Sequence, residues 1–148
     1  MKNVIIVDYS KTTEQMVQEG DYVFVNGNAW YYTSRHFPII GEGIVEYEFK
    51  IFQPNCFITF DSGVKYVQNF DLKKPWEPAK IEHMLAVGIN FPEEQCKFMI
   101  AALGSVATIN NNDYFPGLIG NETERSLIHF LCNYGLNYTR CLLGIRRI

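Results

Sequence analysis

Residues 75–109 read PWEPAKIEHMLAVGINFPEEQCKFMIAALGSVATI, from Pro75 to Ile109. This stretch holds the clearest helix signal in the chain, a proline-led turn and the longest unbroken apolar run. Pro78 suits the first turn of a helix, where a missing N–H costs nothing. Ile81, Met84, Leu85 and Gly88 recur at i, i+3, i+4 and i+7, which places them on one helical stripe. Gly88 is expected to stop that helix, because glycine enters the left-handed region cheaply. His83 falls off the stripe and is expected to face solvent. Phe91-Pro92 opens a second short element, and Glu93 and Glu94 are acids suited to a helix N-terminus. The run Phe98 to Leu103, closed by Gly104, reads as a strand buried on both faces. In this reading the stretch builds the domain, and any functional surface lies outside it.

Working outward, residues 45–51 give the cleanest strand. Val45, Tyr47, Phe49 and Ile51 alternate with Glu46, Glu48 and Lys50, as in a sheet covered on one side. Asn3 to Asp8 is apolar and β-branched, a further strand. Thr12 with Gln15 three residues later forms a capping-box pattern. Thr13, Met16 and Val17 share the inner face of the short helix it starts, and Gly20 ends it. Tyr22 to Val25 is strand-like, Asn26-Gly27 is a tight-turn dipeptide, and Ala29 to Thr33 is the expected hairpin partner. Ser34 to Gly43 reads as a loop. Cys56 to Phe60 and Val64 to Val67 flank Asp61-Ser62-Gly63, which predicts a second hairpin.

Downstream, Ser105 to Ile109 and Tyr114 to Ile119 flank the turn formers Asn110 to Asp113. Pro116 places that second strand at an edge or a bend. Ser126 to Leu131 and Arg140 to Ile145 read as the last strands, with helix as the alternative for Glu124 to Leu131. The fold expected is α+β: one domain over residues 1–148, mostly antiparallel sheet with two or three short helices.

Composition bounds the function. The chain has 148 residues, 47% hydrophobic and 20% charged, enough to bury about 70% of its unfolded surface. Aromatics reach 15%, with 11 Phe and 9 Tyr, which favours sheet and a bulky core. A net charge of −3 gives no case for long nucleic acid or an anionic membrane. The charge is uneven, because residues 125–148 carry four of the 13 basic residues and none of the 16 acids. No stretch approaches the roughly 18 apolar residues that cross a bilayer. The N-terminus lacks the length of a signal peptide, so the expected location is the cytoplasm, with Cys56, Cys96, Cys132 and Cys141 reduced.

The chemistry motifs are sparse. There is no G-x-S-x-G, no Walker A and no G-x-G-x-x-G pattern. Gly41-Glu42-Gly43 carries an acid at its centre, which repels phosphate. His129-x-x-Cys132 with Cys141 is half of a zinc pattern without its other half, so no metal and no cofactor are expected. Cysteine with His36, His83 or His129 leaves a small hydrolase as one alternative. The residues expected to form a binding surface are Trp30, Tyr31, Tyr32 and Arg35, with Arg140, Arg146 and Arg147. Rings and guanidinium groups together suit a protein partner, self-association, or a small anionic ligand such as a nucleotide. A non-enzymatic binding protein is the leading expectation.

Two stretches carry a resemblance. EQMVQEGDYVFVN continuing to HFP (Glu14 to Pro38), and AKIEHMLAVG, FPEEQ and ALGSV (Ala79 to Val106), are similar to segments of small uncharacterised proteins of bacteria and their phages. The resemblance implies an accessory protein of a phage or prophage that inhibits or sequesters a host partner. It assigns no functional residue.

Overall fold

The structure, a computed structural model, describes residues 3–25, 31–134, 136 and 140–148. Its centre is β9 (Arg140–Arg147), whose residues Cys141 to Ile145 are all buried. A strand this apolar needs partners on both edges and cover on both faces. β3 (Ile44–Phe52) pairs antiparallel with one edge, and β5 (Met99–Ala101) pairs parallel with the other. The two-residue β4 (Glu77–Pro78) also pairs with β9. From there the sheet runs outward. β1 (Val4–Asp8) lies antiparallel to β3, and β7 (Asn112–Gly120) lies between β5 and β8 (Arg125–Leu131). β6 (Ala107–Ile109) pairs with the first part of β7, and β2 (Phe24–Val25) closes the far edge on β8. The nine strands form one mostly antiparallel sheet, accompanied among the described residues by four helices.

Alternation along the strands divides the core in two. One face carries Ile5, Val7, Phe49, Leu143 and Ile145 toward α1 (Thr13–Glu19) and α3 (Ile81–Asn90). The other carries Phe52, Phe115 and Leu142 toward Trp76 and α2 (Phe60–Asn69). Gly144 faces α2, and a Cβ there would collide with Phe52 and press on Val67, so the helix seats directly on the strand. α3 is apolar nearly all round and is buried from Ile81 to Gly88. Burial of this kind contributes roughly 25 cal/mol per Å² of apolar surface, the main stabilising term.

Several sequence expectations meet their elements. The Thr12–Gln15 capping box is present in both directions, and Gly20 caps α1. Asn110 and Asn111 adopt the left-handed conformation between β6 and β7. Residues 98–103 supply β5, with Ile100 in one core and Ala101 in the other. Residues 125–131 form a strand. α4 (Glu94–Lys97) follows Phe91-Pro92.

Others are corrected. The hairpin expected over Cys56 to Val67 is a helix, α2. Thr59 accepts the Ser62 N–H at 3.1 Å, so it is an N-cap, and Asp61 is a first-turn acid. Asp61, Ser62 and Gly63 thus start a helix instead of turning a hairpin. β2 pairs parallel with β8, and Tyr31 to Thr33 is not a strand, while Asn26 to Trp30 lie outside the described residues. Pro116 sits in an interior strand. Its carbonyl accepts from Ala102 at 3.1 Å, and its missing N–H faces the gap between the end of β6 pairing at Tyr114 and the start of β5 pairing at Gly117. Pro78 precedes α3, in β4. Gly88 lies inside α3, where a side chain would collide with the Tyr22 hydroxyl; Phe91 ends the helix.

Candidate functional site

β4 holds the start of α3 against the sheet. Ala79 donates its N–H to Leu143 at 2.9 Å, and Gly104 donates to Ala79 at 2.8 Å. The Ile81 N–H finds the Ser105 hydroxyl at 2.8 Å. Lys80, in extended conformation, occupies the N-cap without a short polar side chain to serve as one. His83 supplies half of the missing cap, because its Nδ1 accepts the Lys80 N–H at 3.0 Å. An imidazole that accepts at Nδ1 carries its proton on Nε2. That Nε2 is buried and has no hydrogen-bond partner among the described residues.

Glu82 precedes it, and the two side-chain-bearing residues retain only 3% of their exposure each. His83 was expected to face solvent; burial of the whole of α3 overrides its position off the apolar stripe. Its ring stands edge-on to Tyr47 at 4.4 Å. Pairing of β1 with β3 brings Tyr9, just past β1, beside Tyr47, and their hydroxyls are 2.7 Å apart. The Tyr9 hydroxyl also donates to Glu82 Oε1 over a long 3.4 Å.

These groups wall a hollow of about 270 Å³, with Lys80 and Arg147 among its lining residues. A second hollow of about 240 Å³, lined by His36, Phe37 and Ser105, shares Ile40, Lys80 and Glu82 with it. Together they form a cleft over the first turn of α3. Burial raises the Glu82 pKa above the usual carboxylate range, against the pull of its own N–H, the Lys80 charge and Tyr9. Burial, helped by the Lys80 charge, pushes His83 down to about 3. Burial, the bond to Tyr47 and the nearby Glu82 push the Tyr9 phenol upward.

The residues singled out in the sequence are dispersed. Tyr31 packs edge-on to His129 at 4.7 Å and close to His36. Tyr32 is buried, its hydroxyl donating to the Ile128 carbonyl and accepting the Gly117 N–H at 3.2 Å, so it clips β7 to β8. Arg35 is exposed. Arg140 lies over the Phe130 ring at 4.1 Å, in the α2-side core region and so across the sheet from Tyr31. Arg146 bonds Glu48 at 2.8 Å and the Lys74 carbonyl at 3.1 Å, and covers Trp76. Among the described members of the set, Arg147 lines the cleft. Trp30 lies outside the described residues.

Sequence reading missed Tyr9, Tyr47, Glu82 and the burial of His83. One signal was available: after Glu82 and His83 the helix runs apolar from Met84 to Ile89 with no wet stripe, so a helix this apolar is buried all round and takes both polar residues inside. Among the described residues there is no cluster of three metal-ligating side chains, and no helix long and apolar enough to cross a membrane. No protein-family model, no curated protein and no solved structure matches the chain.

The buried imidazole makes a pH prediction. His83 titrates at about 3 when folded, against an ordinary 6.5. Between those values the unfolded chain takes up a proton that the folded chain refuses, so stability falls as pH falls through that window. One such group contributes a slope of up to about 1.4 kcal/mol per pH unit. Urea unfolding at a series of pH values from about 4 to about 6.5 should show His83→Gln with a shallower slope than the parent protein. Equal slopes would contradict a neutral, buried His83.

Proposed function

We propose that the protein is a non-enzymatic binding module that holds a small polar ligand in the cleft over the first turn of α3. The observation that carries this reading is the pair Glu82–His83. A carboxyl group and an imidazole are buried in the cleft wall, and the imidazole Nε2 has no hydrogen-bond partner among the described residues. Burying such groups costs free energy unless something hydrogen-bonds them. Titratable groups perturbed by burial in a cleft are candidates for a functional site.

Binding is favoured over catalysis by the same groups. A general acid or base works best with a pKa near the working pH. His83, at about 3, stays neutral and acts as a fixed donor. Burial, with Asp113 and Asp61 nearby, pushes the Cys132 thiol up to about 11, and burial raises Cys141 as well, which works against a thiolate nucleophile.

Thermal unfolding with a panel of small polar compounds tests the reading, because a ligand that binds only the folded state raises the Tm. At least one class should raise it, and Tyr47→Phe together with Glu82→Gln should abolish the rise while the variant still folds. A panel without any shift at millimolar concentration, or shifts indifferent to both substitutions, would count against it.

A second reading has its own observation. Tyr66 and Phe70, with ring centroids 6.2 Å apart at the end of α2, are 36% and 49% exposed, and Leu72 just beyond them is 77% exposed, near the exposed Lys65, Lys73 and Lys74. An apolar patch of this kind suits a protein surface, so partner binding or self-association is proposed for the α2 face. It is also the kind of role that the resemblance to small uncharacterised proteins of bacteria and their phages implies. Sedimentation of the purified protein should show concentration-dependent association that Leu72→Asp removes; a monomer throughout the concentration range would oppose the self-associating form.

A further inference from the structure

The cleft's lining constrains the ligand more closely, and this inference rests on the cleft-binding reading above. Three carboxylates, Glu42, Glu77 and Glu82, line the larger hollow together with two cations, Lys80 and Arg147. A simple anion would meet more acid than base there. A simple cation would leave the two basic side chains unused. The polar groups around the hollow differ in kind. Glu82 and the Tyr9–Tyr47 hydroxyl pair offer hydrogen-bond acceptors, while His83 Nε2 offers a donor in need of an acceptor.

The hollows are small. At about 270 and 240 Å³, they fall below the roughly 300–1,000 Å³ typical of drug-sized sites. A nucleotide exceeds either one alone. A free amino acid fits within either.

We propose that the cleft takes a small zwitterion of amino-acid size. Its ammonium group lies against the Glu82 carboxylate and the tyrosine hydroxyls. Its carboxylate faces Arg147 and Lys80, the two cations of the lining. Each end meets the opposite charge. An ammonium group beside Glu82 replaces the water that burial removed, and a carboxylate beside Arg147 and Lys80 accepts from their N–H groups. Both ends are charge-assisted hydrogen bonds, stronger than neutral ones. Bonds that a site is built to make are also its main source of discrimination, because an analogue lacking the group leaves a buried partner unsatisfied.

The test uses the full chain with 15N-labelled histidine and the twenty common free amino acids as probes. Each amino acid is compared with its counterpart lacking the ammonium and its counterpart lacking the carboxylate. The expected result is that at least one amino acid shifts the His83 Nε2–H resonance in a saturable way at millimolar concentration or below. Both of its one-charge counterparts should bind at least about tenfold more weakly. Glu82→Gln should weaken the amino acid and its carboxylate-free amine by a similar factor. Arg147→Gln, at an exposed position that leaves the core untouched, should weaken the amino acid and spare the amine. If one-charge counterparts or nucleotides bind as well as the amino acids, or if neither variant changes affinity, the zwitterion assignment is overturned while cleft binding stands. If no compound of any class perturbs His83, Tyr9 or Tyr47, both fall.

Discussion

Helix α3 is buried over eight consecutive residues, from Ile81 to Gly88, and the organisation of the molecule follows from that constraint. A helix without a wet side must find partners in every direction. α1, β1, β7 and α4 supply them, and β4 with the Ala79–Leu143 bond fixes its start to the sheet. The apolar positions gain from this enclosure. The two polar ones, Glu82 and His83, are carried in with them. Their placement is set by helix geometry. Glu82 is met by its own N–H and a long bond from Tyr9, and His83 by one backbone N–H at Nδ1 with Nε2 left open. Natural chains tolerate a local conflict of this kind mainly where it is used.

The other end of α3 shows a polar problem solved within the chain. Arg125 reaches the carbonyls of Gly20 and Gly88 and the Gln95 side chain, and its guanidinium lies over Tyr22 at 4.9 Å. A cation at two helix C-termini complements both macrodipoles. Gln95, fully buried, passes the network on to the Ile119 and Ser126 carbonyls. Arg146 is used in the same way between Glu48, Lys74 and Trp76. The basic C-terminal segment, conspicuous in the sequence, is therefore spent largely on internal contacts, and Arg147 is the member that reaches the cleft.

Much of the fold was legible because its signals are local. β3 shows its alternation, α1 its capping box, and the β6–β7 turn its asparagines. α2 was misread because turn-forming residues and first-turn helix residues are the same types, and the Thr59 cap that separates the two cases was overlooked. Pro116 misled because its strand changes partner at that residue, a fact of pairing that no local pattern contains. The site was the least legible part. Tyr9 and Tyr47 meet across 38 residues, and Tyr9 and Glu82 across 73, so only the β1–β3 register and the docking of α3 bring them together. Rings and arginines clustered in sequence were a poor guide, because Tyr32 turns into the core and Arg140 and Tyr31 lie across the sheet from each other.

The account turns on one imidazole, held neutral in one tautomer in the wall of a cleft. The most direct measurement is the side-chain 15N and 1H spectrum of His83 followed from about pH 8 to about pH 4. The account predicts a neutral ring with its proton on Nε2 that does not titrate across that range. A ring that titrates near the ordinary value of 6.5, or one protonated on Nδ1, would contradict the structure of the cleft and the function proposed for it.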